Sequence, residues 1–289
     1  MKDGREKRGI AVRRRKKQSW LRVSGLNLAP HLLFICAICG PPPLAFLAAS
    51  AAEKASAPQT GLLRLPAEGR AGREAWLYVP KSYVKTRRYA LVVDLHPAGL
   101  RGSHFAEAWG EVAERTGAFL VLAPECKDQK KRMWENGDEQ GVVAAANRVL
   151  SEYSVDSARV LLTGFSQGAI YTYIFGLRNP TLFRAIAPVS GILAARPSPK
   201  ADEILERARG VPVYICHGAA DDRFPVAKAR EARDRLEKLG YQVQYREEPQ
   251  LGHFYPPGEC GRIWAWFSAL TAEPVEPKAS REPGKKRDQ

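Results

Sequence analysis

Cysteine is sparse in this chain, and its placement excludes more than its number does. Five cysteines occur in 289 residues, and two of them, Cys36 and Cys39, fall near the N-terminus. Beyond residue 51 there is no CxxC pair and no His/Cys cluster with zinc-site spacing, which excludes a zinc ribbon or finger. No internal repeat is visible. Acidic residues are also in deficit, 31 against 45 basic ones, for a net charge of +14. That surplus does not indicate nucleic acid, because residues 1–51 hold ten Lys or Arg and only two acids. The remaining +6 reads as a solvated basic surface, with attraction to anionic polymers or lipid headgroups the weaker alternative. The apolar fraction of 45% and aromatic fraction of 9% are ordinary, so the chain is neither fibrous nor wholly disordered and can bury a core.

Long apolar runs are confined to residues 32–52, which follow the basic leader. Gly40 and Pro41-Pro42-Pro43 interrupt that run near its middle, which disfavours a spanning helix. Ala49-Ser50-Ala51 then gives the small-residue spacing of a signal-peptidase site. Residues 1–51 are therefore expected to be a signal peptide, and the protein to be exported without a stable membrane anchor. Residues 52–60 read as a flexible mature N-terminus. Residues 271–289 are charged, contain proline and lack large apolar side chains, so they are expected to be disordered.

Between these ends, residues 61–270 read as one domain. Short apolar runs at 89–95, 118–123, 160–164, 185–189 and 211–216 have the length and continuity of strands buried on both faces. Alternating segments at 73–79 and 242–246 add two half-exposed strands. Helix-like stretches at 103–115, 138–153, 167–177, 226–239 and 259–270, with a short one at 202–208, lie between them. This alternation predicts an α/β fold with a doubly wound, mostly parallel sheet. In such sheets reactive groups sit in loops at the carboxyl ends of strands.

Gly164-Phe165-Ser166-Gln167-Gly168 is a G-x-S-x-G sequence between the apolar strand VLLTG and the helical QGAIYTYIFGL. A strand–turn–helix setting of this kind is a nucleophile elbow, in which a sharp turn exposes the serine hydroxyl at the mouth of the sheet. Ser166 would also sit at a helix N-terminus, where free N–H groups stabilise negative charge. A serine hydroxyl needs a base to take its proton. With this elbow the acid and then the histidine follow the serine along the chain. Only His217 and His253 follow Ser166, and only His253 leaves room for an acid before it. His217 reads as a brace for its own loop. Two adjacent carboxylates, Asp221 and Asp222, compete as the acid. For the oxyanion, the backbone N–H of Gln167 is one donor. The loop His96-Pro97-Ala98-Gly99 supplies the second, and because Pro97 has no N–H the assignment is Ala98, with Gly99 next. Trp134, Tyr171, Phe254 and Tyr255 are candidate walls of a substrate pocket. Of the other cysteines, Cys216 reads as a buried thiol. Export would permit a disulfide between Cys126 and Cys260, with two unrelated thiols the equal alternative.

LHPAG at 95–99, GFSQG at 164–168, HGAADDRFP at 217–225 and GHF at 252–254 occur in this order. Over about residues 73–268 the chain resembles the prokaryotic carboxylesterase/phospholipase group of the α/β-hydrolase superfamily. Within that group it is similar to polyhydroxybutyrate-depolymerase-like and feruloyl-esterase-like hydrolases. The resemblance favours Asp221, which falls on the acid of the H-G-x-x-D-x-x-[VF]-P pattern. It implies a serine hydrolase of carboxylic esters, small or polymer-borne, with a Ser166–His253–Asp221 triad, an acyl-enzyme, no cofactor, no metal and no nucleic-acid partner. The other readings are a serine peptidase of the same fold and a catalytically inactive binding protein. Nothing between residues 166 and 253 has the length of a large lid, which favours an open cleft.

Overall fold

A computed structural model of the chain describes residues 58–69, 72–193 and 199–271. The expected signal peptide and all of the expected C-terminal tail beyond Thr271 lie outside the described residues. Eight strands form one sheet: β1 (Gly61–Leu65), β2 (Ala75–Val79), β3 (Tyr89–Leu95), β4 (Phe119–Pro124), β5 (Val155–Phe165), β6 (Ala185–Val189), β7 (Val213–Gly218) and β8 (Val243–Glu248). Their spatial order is β1-β2-β4-β3-β5-β6-β7-β8. The β1–β2 and β2–β4 pairs are antiparallel, and every other pair is parallel. Six helices connect them: α1 (Gly102–Thr116), α2 (Glu139–Glu152), α3 (Gln167–Arg178), α4 (Pro199–Arg207), α5 (Val226–Lys238) and α6 (Glu259–Leu270).

The sheet is covered on both faces. Strand side chains alternate, so Leu91, Val93 and Leu95 of β3 belong to one core and Ala90 and Val92 to the other. The first core takes side chains from α2, α3, α4 and α5, and the second from α1 and α6. This is the doubly wound arrangement expected from the sequence. It also separates the two cysteines that a disulfide would join. Cys126 packs in the first core and Cys260 in the second, and both are buried free thiols, as is Cys216.

From β3 the chain goes to one side for β4 and returns across to the other for β5. Such a reversal opens a crevice at the carboxyl ends of the two flanking strands. The loop 96–101 leaves β3 and Ser166 leaves β5 at that crevice.

One polar group breaks the apolar rule of β3. Asp94 is fully buried, and neither carboxylate oxygen has a hydrogen-bond partner. Burial pushes its pKa from an ordinary 3.8 up to about 7, opposed by the nearby Trp109 indole N–H, which does not close a hydrogen bond to it. Folding thus holds a proton that the unfolded chain releases. The stabilisation is complete below the unfolded value and is lost as pH rises through the folded one, in a window from about 4 to about 7. The difference is worth on the order of 4 kcal/mol. Asp94→Asn is expected to flatten the fall in stability across this window, and urea midpoints at pH 4.5 and 8 check it. A fall in the variant as steep as in the parent chain would show that another group is responsible.

Candidate active site

The elbow is built by close approach. Ser166 follows β5 with φ 57° and ψ −117°, a conformation that L-residues adopt only under strain. Its N–H is tied to the Val189 carbonyl at 3.0 Å, and α3 starts at the next residue. The flanking glycines are forced by the space available. A Cβ on Gly168 would lie 1.9 Å from the Leu95 carbonyl oxygen, and one on Gly164 would lie 2.7 Å from the Gly168 backbone. Gly168→Ala is therefore expected to push α3 away from β3. A loss of about 3 kcal/mol in a denaturant titration is expected. Unchanged stability would mean that the elbow is looser than this packing implies.

The Ser166 Oγ lies 2.8 Å from His253 Nε2, and His253 Nδ1 lies 2.8 Å from Asp221 Oδ2. Asp221 follows β7 and His253 follows β8. Their loops are stitched together by Ala219 N–H to Glu248 O and Ala220 N–H to Leu251 O, each at 2.9 Å. Gly218 permits this, because a Cβ there would lie 2.3 Å from the Leu251 oxygen. The imidazole is held between the rings of Phe165, stacked at 5.2 Å, and Phe224, edge-on at 5.3 Å.

Asp221 is 6% exposed. Its other oxygen, Oδ1, accepts the backbone N–H groups of Arg223 at 3.0 Å and Phe224 at 2.9 Å. Burial raises its pKa, but the Phe224 N–H, the His253 ring and the Arg223 N–H outweigh it and hold the carboxyl below its ordinary value. It is therefore charged at neutral pH. Asp222, the alternative, is exposed, lines the cleft and makes no bond to His253. His217 is fully buried, with Nε2 2.7 Å from the Phe224 carbonyl and 3.4 Å from Asp221 Oδ2. It braces the loop that carries Asp221.

Ser166 opens into a cleft of about 510 Å³, a size that suits a small molecule. Pro97, Ala98, Leu100, Phe165, Arg223 and Phe254 are among the residues that line it. The Gly99 N–H is already committed to the Arg132 carbonyl at 2.8 Å. No such bond is made by the Ala98 N–H, nor by that of Gln167 in the first turn of α3. Ala98 lines the cleft with Ser166, and Gln167 is the residue after Ser166 at the start of α3.

Three of the four candidate pocket walls lie elsewhere. Phe254 lines the cleft and is 70% exposed. Trp134 is 2% exposed and serves as a strut. Its indole N–H donates to the His96 carbonyl at 2.7 Å, its ring packs on His96 at 4.7 Å, and its backbone N–H donates to the Gln167 side chain at 3.0 Å. Tyr171 is drawn onto Phe175 in the first core, at 5.1 Å. Tyr255 lies behind the cleft wall, with its ring 5.7 Å from Phe165 and 5.8 Å from Phe105. Sequence reasoning missed Phe165 and Phe224 as the walls of the histidine. Their adjacency to the serine and acid motifs was the available signal. It also missed the Gln167 side chain and buried His96, whose pKa burial lowers despite the Pro97 carbonyl at 2.9 Å. Among the described residues no group of His, Cys, Asp and Glu is placed to hold a metal ion.

A family model described as phospholipase/carboxylesterase matches residues 136–270. An acyl-protein thioesterase 1 from Gibberella zeae is 26% identical over 139 residues, which cover 46% of this chain and 59% of that protein. A feruloyl esterase B from Talaromyces funiculosus is 26% identical over 130 residues, covering 41% of this chain and 36% of that one. The chain thus spans less than two thirds of the length of these relatives. The solved structure of an acetyl xylan esterase from Aspergillus awamori superposes with a TM-score of 0.61 at 19% identity, over 72% of this chain and all of that one. Taken with the eight-stranded sheet, these similarities show that the chain has the α/β-hydrolase fold.

Proposed function

We propose that the protein is a serine hydrolase of carboxylic esters working through an acyl-enzyme. The observation that carries this reading is the hydrogen-bonded chain Ser166–His253–Asp221 at the switch-point cleft, with both links at 2.8 Å. In the first step Ser166 Oγ attacks the ester carbonyl carbon while its proton passes to His253 Nε2. Asp221 keeps the Nδ1 proton oriented and stabilises the imidazolium. The carbonyl oxygen takes the charge and is met by the N–H groups of Gln167 and Ala98. The C–O bond to the alcohol then breaks, and His253 returns the proton to the departing oxygen. Water repeats the sequence on the acyl-serine, giving the carboxylic acid and free Ser166.

The esterase names among the relatives support an ester over an amide. The basic leader and Ala49-Ser50-Ala51 support export. The test compares p-nitrophenyl esters of short acids with peptide p-nitroanilides, followed by feruloyl, acetyl-xylan and polyhydroxyalkanoate substrates. Turnover of the simple esters at kcat/KM about 10³-fold or more above the anilides is expected. A preference for anilides would favour a peptidase, and turnover of neither would favour a binding protein.

A further inference from the structure

The described residues hold four exposed large apolar side chains: Val84, Leu100, Met133 and Phe254. Two of them line the Ser166 cleft, and a third, Met133, sits on a loop bonded to the cleft wall. Leu100 and Phe254 line it directly, at 44% and 70% exposure. Met133, at 45%, sits between two anchored residues. On one side of it, Arg132 and Gly99 bond each other, with the Gly99 N–H on the Arg132 carbonyl at 2.8 Å and the Arg132 guanidinium on the Gly99 carbonyl at 3.5 Å. On the other side, Trp134 is held by Gln167. The three apolar groups are therefore presented by braced loops. Val84 lies in the turn that feeds the N-terminal end of β3, at the opposite edge of the sheet.

The loop that carries Met133 is cationic: Lys127, Lys130, Lys131 and Arg132 fall within six residues, and Arg132 ties it to Gly99 beside the cleft. Arg101 follows Leu100, and Arg223 lines the cleft. The acid inside this run is occupied locally: Asp128 Oδ1 accepts the N–H groups of Lys130 and Lys131, and Oδ2 is 3.6 Å from the Lys131 ammonium. Two exposed acids, Glu135 and Asp222, oppose the set.

We infer that the mouth of the cleft is a docking surface for an anionic lipid layer. Exposed apolar tips interleaved with lysines match the chemistry of such a layer: the tips enter the boundary between headgroups and acyl chains while the ammonium groups meet phosphates. Single-stranded nucleic acid would call for aromatic stacking platforms. Here Phe254 is the one aromatic among the exposed groups, and Leu100 and Met133 have no face to stack on. Among the described residues no helix is long and apolar enough to cross a membrane.

The test is amide hydrogen exchange on the full chain carrying Ser166→Ala, so that binding is read without turnover and independently of the esterase reading. Vesicles of phosphatidylcholine alone are compared with vesicles that also contain phosphatidylglycerol. The anionic vesicles are expected to slow exchange in residues 97–101, 127–133 and 252–255 and to leave the turn around Val84 unchanged. Lys130→Glu with Lys131→Glu, both at exposed positions, is expected to lower partition onto these vesicles at least about tenfold. Leu100→Ser with Met133→Ser is expected to remove the protection in all three loops. Protection confined to residues 1–51 would mean that the leader alone holds the chain, and would overturn the inference. So would equal protection around Val84, or protection of these loops by soluble heparin or oligonucleotide in place of vesicles.

Discussion

Ser166→Ala is expected to lower kcat for ester hydrolysis by on the order of 10⁶ while leaving a folded protein. The hydroxyl is the proposed acceptor of the acyl group, and its hydrogen bond runs to His253. Removing it leaves the N–H link to Val189 and the packing of α3 on β3 in place. The circular dichroism spectrum should therefore match that of the parent chain. A second substitution separates the chemistry from the backbone. Ser166 is held at φ 57°, where a Cβ is strained and glycine is not. Ser166→Gly should be as inactive as Ser166→Ala and more stable than it by roughly 1–3 kcal/mol. A gain in stability coupled to complete loss of activity is the signature of strain held at a working residue. If Ser166→Ala retained more than a few percent of the rate, another nucleophile would have to be sought.

The second large effect concerns the acid. Asp221 accepts three hydrogen bonds, one from His253 and two from backbone N–H groups. An asparagine of the same shape carries no charge to stabilise the imidazolium. Its amide also turns either an NH₂ group toward the histidine, which favours the wrong tautomer, or one toward the two backbone donors. In a serine protease triad the equivalent change costs about 10⁴ in kcat, and the same scale is expected for Asp221→Asn. Asp222→Asn should cost about tenfold or less, roughly a kcal/mol of barrier. Its carboxylate is exposed on the cleft and makes no bond to the histidine. Both variants are to be checked for folding before their rates are compared. A folded Asp222→Asn that proves the more damaging would reverse the assignment of the acid.

Much of this arrangement is legible in the sequence because its signals are local. The strand at 89–95 is continuous in apolar residues apart from one aspartate, and the structure places β3 over the same span, Tyr89–Leu95. The helix at 259–270 also has the same limits. The serine motif carries its own strand, turn and helix start. What escaped has non-local causes. β1 (Gly61–Leu65) is five residues long with one buried side chain, Leu65, and it is defined by its antiparallel partner β2. Trp134 and Tyr171 read as pocket walls because large aromatics near a motif suggest a substrate surface. Trp134 instead spends its indole and its backbone on His96 and Gln167, more than thirty residues away on either side. A cross-chain strut of that kind leaves no periodicity to read. The pairing of Cys126 with Cys260 fails for a related reason. Both follow or open elements near the cleft edge, but β3 and its neighbours stand between their two cores. Asp94 is visible in the sequence as a charge in an apolar run, and its unpartnered state appears only when the faces of the sheet are known.

The proposed chemistry turns on one covalent bond. Incubating the full chain with a fluorophosphonate, digesting it and locating the adduct by mass spectrometry tests that bond directly. A single stoichiometric adduct on the peptide that contains Ser166 is expected, with slow or absent labelling in the folded Asp221→Asn variant. An adduct on any other residue, or no adduct on a chain that still hydrolyses esters, would contradict it.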